Sequence, residues 1–297
     1  MRVEPGQPFE YDDDHSPERV LVEAIIDQMT GPASSSPMGT YGGVTPSDHV
    51  EAARLAAEAG RLLIELRAGI GAEMPADQAR HEADRRSHEF LARAIGERYP
   101  QDGLLSEEGA DSEARLSLER VWIVDPLDGT REFGEVGRSD WAVHVCLSVG
   151  GQVPVGAVAL PALGRVLSTA EPLSTGARAP GPMRLVVSRT RPPASVERLA
   201  VLLGAQLVPM GSAGAKAMAV VRGEADAYIH SGGQFEWDSA APVAVALSAG
   251  LHASRLDGSP LVYNQPNPWL PDLVICRPEA RGGVFTALEE LAAEAPR

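Results

Sequence analysis

The sequence predicts an α/β protein in which two helices lead, a first sheet follows and an alternating α/β half completes the chain. Three observations carry this reading. Apolar residues recur at helical spacing from Ala53 to Leu66. Four short runs rich in β-branched or aromatic residues lie between Gly103 and Leu160. From Met183 onward, strand-like and helix-like segments alternate.

Residues 1–44 hold an acidic run (Glu10 to Asp14), one amphipathic stretch (Arg19 to Met29) and a Gly/Pro/Ser run from Thr30 to Gly43. Such a composition buries too little to offset the entropy of ordering, so a disordered extension is expected. Residues 45–180 form the expected N-terminal α+β half. Ser47 can cap a first helix that carries Ala53, Ala56, Ala57, Leu62, Leu63 and Leu66 inward and stops at Gly69. A second helix runs from about Ala79 to Tyr99, turned inward at Phe90, Leu91 and Ile95, and ends before Pro100. Strands follow at Gly103–Ser106, Val121–Val124, Trp141–Val149 and Val153–Leu160. Residues 181–297, beyond a Gly/Pro/Ala-rich segment, form the α/β half. Its strands are expected at Met183–Val187, Gln206–Pro209, Ala225–His230, His252–Arg255 and Asp272–Cys276. Its helices are expected at Ser195–Leu203, Ala213–Arg222, Trp237–Ala249 and from about Arg281.

With 297 residues, 44% of them apolar, the chain has material for about two packed domains. A net charge of −15 argues against nucleic acid as a partner, because binding to a phosphate backbone needs an excess of Lys and Arg. Cys146 and Cys276 sit in apolar strand-like stretches and read as buried thiols. No apolar run approaches the roughly 20 residues of a membrane span and no signal-peptide pattern opens the chain, so a cytoplasmic location without membrane contact is expected.

The chemistry concentrates in Val121-Trp122-Ile123-Val124-Asp125-Pro126-Leu127-Asp128-Gly129-Thr130, an apolar strand that delivers two aspartates and a threonine at its end. Carboxylates that converge repel one another unless a cation lies between them, and hard oxygen donors select Mg²⁺ or Mn²⁺ over zinc. The amides of Gly129 and Thr130, at a helix start, suit a phosphate. Two further segments offer acids at the exits of apolar elements: Ser106-Glu107-Glu108 and Glu236-Trp237-Asp238. Metal ions about 3.5–4 Å apart can acidify a water and stabilise both the attacking and the leaving oxygen, which the slow hydrolysis of phosphate monoesters demands. Other motifs fail on spacing. A phosphoaspartyl enzyme would need one residue between its acids, not Pro126 and Leu127. Gly211 to Lys216 is too short for a phosphate loop, and neither G-x-S-x-G nor H-E-x-x-H occurs.

These motifs, in this order, resemble the inositol monophosphatase superfamily, whose signatures are a Glu-Glu strand end, D-P-[IL]-D-G-T and W-D-x-A-[AG]. The resemblance covers the chain from about Ser47 onward. Leu105-Ser106-Glu107-Glu108, the stretch Asp125 to Phe133, and Gly211-Ser212 with Lys216 look most like the CysQ-type 3′-phosphoadenosine 5′-phosphate phosphatases. The resemblance implies a layered α/β/α/β/α sandwich, usually dimeric and inhibited by lithium, with metals where its two halves meet. It implies that Glu107, Asp125 and the Leu127 carbonyl hold one Mg²⁺, that Asp125, Asp128 and Asp238 hold a second, and that a weaker third shares Glu107. It also implies that Thr130, paired with an acid on the second helix, orients the attacking water. Asp84 stands where that acid belongs, with Glu82 as a competitor.

The substrate is expected to be a small phosphorylated metabolite met by Glu107, Leu127, Asp128, Gly129, Thr130, Ser188, Arg189, Ser212, Lys216 and Asp238. Lys216 is the only lysine and falls in the first turn of an expected helix, where the dipole disfavours a cation. Arg189 follows a strand with its guanidinium suited to phosphate oxygens. Inositol monophosphate and fructose 1,6-bisphosphate are rival substrates on the same metal centre, and a non-catalytic binding protein is the rival of another class.

Overall fold

A computed structural model describes residues 43–70, 74–178, 180–190 and 192–294. The expected extension, apart from its last two residues, lies outside them. Helix α1 (Pro46–Ala68) is capped by Thr45, not Ser47. Pro46 lacks an N–H and suits the first helical position, while the Asp48 carboxylate turns back to accept the Thr45 N–H at 2.7 Å. Its buried stripe is Ala52, Ala53, Leu55, Ala56, Ala59 and Leu63, whereas Leu62 and Leu66 are only partly covered. Helix α2 (Ala76–Arg98) starts three residues before the expected position and buries Ala79, Ala83, Ser87, Leu91 and Ile95.

Both helices pack on a five-stranded sheet of order β1-β2-β3-β4-β5. Strand β1 (Gly103–Ser106) runs parallel to β2 (Arg120–Asp128), and β3 (Ala142–Val149), β4 (Gln152–Leu160) and β5 (Arg165–Ser168) follow antiparallel. Strand β5, only four residues long and set off by the Pro161–Gly164 turn, is an addition to the expected strands. Two residues after β2, Thr130 opens the five-residue helix α3 (Thr130–Gly134).

The second sheet has the order β7-β6-β8-β10-β9. Strands β6 (Arg184–Ser188), β7 (Gln206–Met210) and β8 (Ala227–Phe235) are parallel, and β10 (Trp269–Cys276) runs antiparallel between β8 and β9 (His252–Ser254). Helices α4 (Ala194–Leu203) and α7 (Pro278–Glu294) cover its outer face through Val196, Leu199, Ala280 and Val284. Helices α5 (Ala213–Val221) and α6 (Glu236–Ser248) lie between the sheets, their Val220, Ala240, Val243 and Val245 sharing one core with Ile123 and Val158 of the first sheet and Tyr228 and Ile275 of the second. The layers therefore run α/β/α/β/α, as the resemblance implied.

Helix α6 approaches β4 closely. A Cβ at Gly156 would come within 2.6 Å of the Ala244 Cβ and 3.0 Å of the Ala241 carbonyl oxygen, so only glycine fits there. Cys146 on β3 and Cys276 on β10 are free and buried. Among the described residues, no helix is long and apolar enough to cross a membrane.

Candidate active site

Side chains of a regular strand alternate between faces, so residues three apart point to opposite sides. Asp125 and Asp128 escape this because β2 carries a bulge. Asp125 pairs with His144 and Asp128 with Ala142, three steps on β2 against two on β3. Pro126 has no N–H to give to the ladder, which breaks pairing at that point. Local bonds replace the ladder: the Leu127 N–H donates to Asp125 Oδ1 at 3.0 Å, and the Ser87 hydroxyl donates to the Pro126 carbonyl at 2.7 Å. Gly129 then turns the chain with φ +87°, its missing side chain leaving room for Trp141 and Ser212.

The bulge brings Asp125 and Asp128 together with Asp238, so that one oxygen from each lies within 4.8 Å of the others. Asp238 arrives from the first turn of α6, where its Oδ2 accepts the Phe235 N–H at 2.7 Å. Of the acid pair Glu236 and Asp238, only Asp238 joins the group. Glu236 accepts the Asn264 and Gln265 N–H groups at 2.6 and 2.8 Å and ties down that loop. Glu107 follows β1, next to β2; it is exposed and lies outside the three-acid group, yet near enough to Asp125 for each to shift the other's pKa.

Crowding raises these acids. Asp125 is pushed well above the ordinary range by burial first, then by the charges of Glu107, Asp128 and Asp238. Burial and the Asp238 charge bring Glu107 to about 7, against a lowering hydrogen bond with Asp125. Burial and Asp128 bring Asp238 to about 6. Such a set of oxygen donors fits a hard divalent cation, whose charge would relieve the repulsion.

Asp128 differs. Burial alone would raise it, but it is brought down to about 2 by His144, then Ser212 and Lys216. The Ser212 hydroxyl and the Gly214 N–H (2.6 Å) donate to its Oδ2, and the Ala213 N–H donates to Oδ1 at 3.1 Å. A carboxylate from β2 thus occupies the amino end of α5, where the dipole favours an anion. His144 Nδ1 lies 2.9 Å from the Trp237 carbonyl, which can only accept, so Nδ1 donates. Its Nε2 lies 3.2 Å from Asp128 Oδ2, close but without hydrogen-bond alignment. Burial lowers the pKa of the ring, but the Asp128 carboxylate and the Trp237 carbonyl outweigh it and leave the pKa above its ordinary value. Gly214 makes the approach feasible, since a Cβ there would stand 2.0 Å from Nε2.

The Thr130 hydroxyl lies 3.5 Å from Asp84 Oδ1 and 3.2 Å from the Leu127 carbonyl, both acceptors. Asp84 is raised to about 7 by burial and the nearby Glu108. Glu82, the competitor, pairs with Arg85 at 2.8 Å on the outer side of α2.

Beside the carboxylates opens a cavity of about 630 Å³ whose lining includes Asp128, Gly129, Thr130, Ser188, Arg189, Ser212, Lys216 and Asp238. Two of the expected phosphate partners are engaged elsewhere. Arg189 donates to Glu132 and Glu135, both at 2.5 Å. Lys216 is buried and donates to the Ser212 and Gly211 carbonyls at 2.6 and 3.3 Å, with the Tyr228 ring 5.3 Å away. The carbonyls that precede α5 thereby hold the cation that the dipole would repel. Sequence reasoning missed His144, whose one signal is a polar residue inside the apolar run Ala142–Cys146. It also missed Trp269, which lines the cavity from a strand expected to start three residues later.

The model of the inositol monophosphatase family matches residues 48–291. The chain belongs to the inositol monophosphatase family. Within it, the chain is 53% identical over 230 residues to the 3′-phosphoadenosine 5′-phosphate phosphatase of Mycobacterium bovis, covering 75% of this chain and 86% of that protein. It is 50% identical over 244 residues to the protein of the same name from Mycobacterium leprae, covering 78% and 89%. Among solved structures, CysQ from Bacteroides thetaiotaomicron, described as a bacterial member of the inositol monophosphatase family, superposes with a TM-score of 0.70 at 25% identity, over 78% of this chain and 97% of that one. Membership in the inositol monophosphatase family makes the chain a metal-dependent phosphatase acting on a small phosphorylated substrate.

Proposed function

We propose that the chain is a Mg²⁺-dependent phosphomonoesterase that hydrolyses 3′-phosphoadenosine 5′-phosphate to AMP and inorganic phosphate. The observation that carries this is the meeting of Asp125, Asp128 and Asp238 within 4.8 Å, with Glu107 beside Asp125, in a chain half identical to phosphatases named for that substrate.

Glu107, Asp125 and the Leu127 carbonyl would hold one Mg²⁺, Asp125, Asp128 and Asp238 would hold a second, and Glu107 would share in a third. When bound, these ions neutralise the ester and acidify a water. The chain's own groups do the positioning. Asp84 accepts from the Thr130 hydroxyl, and the pair leaves the Thr130 oxygen directed toward the water, whose proton passes through it to Asp84. The raised pKa of Asp84 suits a group that takes a proton near neutrality. Gly129 and Thr130 offer amides at the start of α3 to the phosphate oxygens, and Ser188 and Ser212 line the cavity beside them. Arg189 reaches a substrate phosphate by exchanging one glutamate partner for it, whereas Lys216 acts on the substrate as a buried charge. The enzyme works as a homodimer in the cytoplasm.

Phosphate release from 3′-phosphoadenosine 5′-phosphate, inositol 1-phosphate and fructose 1,6-bisphosphate at equal enzyme concentration, titrated with Mg²⁺ and Li⁺, tests the reading. The bisphosphate nucleotide should give the highest kcat/KM. Preference for inositol phosphate would overturn the substrate, and no Mg²⁺-dependent release from any of them would overturn the activity.

A further inference from the structure

Strands β8 and β10 end in two aromatic side chains that the carboxylate chemistry does not use. Trp269, the first residue of β10, is the cross-strand partner of Phe235, the last residue of β8. Trp269 is 45% and Phe235 38% exposed, although both are large apolar rings. Both line the cavity that also holds Asp128 and Asp238. Apolar area left open at a cavity wall is available to whatever enters the cavity.

The wall is also stiff. Gly233 has φ +86°, and a Cβ there would stand 1.6 Å from Trp269 Cζ2, so one side of the indole rests on the glycine backbone. Phe235 meets Trp269 edge-on at 5.3 Å and stacks on Trp237 at 4.7 Å with only 11° between the rings. The Glu236 N–H donates to the Pro268 carbonyl at 2.8 Å and fastens the two strand ends together. Asp238 sits three residues beyond Phe235 and bonds its N–H. The position of the indole is thus fixed relative to the carboxylates.

A cavity of about 630 Å³ is far larger than a phosphate group needs, so most of its wall faces the remainder of the substrate. A phosphorylated polyol offers an indole at most the narrow, puckered C–H face of its ring and not a broad flat one. A nucleobase has one, and every base can stack through its π-face. We infer that Trp269, supported by Phe235 and Gly233, is a base-recognition wall, on which the base of a phosphorylated nucleoside packs while its ester reaches the carboxylates. This rests on the nucleotide-phosphatase reading and goes beyond it by assigning the residue that selects for the base.

The test compares wild type, Trp269→Ala and Trp269→Phe on 3′-phosphoadenosine 5′-phosphate and on ribose 3,5-bisphosphate, which carries the phosphates and no base. The ratio of kcat/KM for the nucleotide to that for the base-free ester should fall about ten-fold in Trp269→Ala, mainly through KM, and recover most of its value in Trp269→Phe. AMP should quench the tryptophan fluorescence of wild type and not that of Trp269→Phe, whose melting curve reports on its folding. An unchanged ratio, or quenching that persists in Trp269→Phe, overturns the wall while leaving the nucleotide reading in place. A wild type that hydrolyses inositol 1-phosphate and ignores the nucleotide overturns the nucleotide reading, and the wall with it.

Discussion

The two ends of the carboxylate group are built on opposite plans. At one end Asp128 is satisfied by the chain itself: a serine hydroxyl, two amides of α5, a histidine and a buried lysine charge hold its acid constant at about 2. At the other end Asp125 is fully buried among Glu107, Asp128 and Asp238, forms no ion pair with a lysine or arginine among the described residues, has the His144 Nδ1 only at 4.0 Å, and is pushed far up. The difference teaches where the chain leaves positive charge to be supplied from outside. Asp128 is an anchor that stays ionised near neutrality, and Asp125 is the position where a metal ion would relieve the most repulsion.

Breaking the comparison at its weak end should have the largest effect. Asp125→Asn should lower Mg²⁺-dependent kcat by about 10³-fold, measured as phosphate release. The same variant, kept in chelator, should melt at a higher temperature than wild type at pH 8. An acid whose folded pKa is raised keeps its proton in the native state after the unfolded chain has lost it, so wild-type stability falls as pH rises from about 4 through the elevated values of Asp125, Glu107 and Asp238. Asparagine does not titrate, and the gap between variant and wild type should widen across that window. A gap independent of pH would contradict the assignment of strain to this end.

Next in size, Asp84→Asn should cost on the order of 10²-fold in kcat and remove the acid limb of the rate profile near pH 7, read from kcat/KM against pH. Disturbing the satisfied end should matter less. Ser212→Ala removes one of three hydrogen-bond donors to Asp128 and should weaken Mg²⁺ activation about 10–100-fold, as support for a metal ligand does, with α5 intact by circular dichroism. The smallest effect is expected at Glu82→Gln, whose partner Arg85 faces outward, with turnover indistinguishable from wild type in the same assay.

The satisfied and the strained end were not equally legible. The acids of β2 are visible in the sequence because they are local: an apolar run, two aspartates three apart and a glycine identify a strand exit without any knowledge of the fold. Even the bulge that aligns them has a local cause in Pro126. The support of Asp128 is invisible because its donors lie 84 to 86 residues downstream, and Ser212 alone looks like a helix cap with a spare hydroxyl. Lys216 was conspicuous as a cation in a first helical turn, but the backbone carbonyls that hold it belong to no sequence pattern. Element boundaries shifted where local and tertiary signals disagreed. Gly232 and Gly233 look like the end of a strand, yet β8 continues through them to Phe235 because β10 pairs beyond them and Trp269 needs the space.

The bare backbone at Gly156 reaches further than its own strand. Helix α6 is pressed onto β4 with no room for one more carbon, and that same helix carries Asp238 at its amino end. The distance between a sheet and a helix therefore calibrates the distance between Asp238 and the aspartates of β2. Even a methyl group introduced at position 156 would act as a shim, detuning the three-aspartate group from beneath without touching any of its carboxylates.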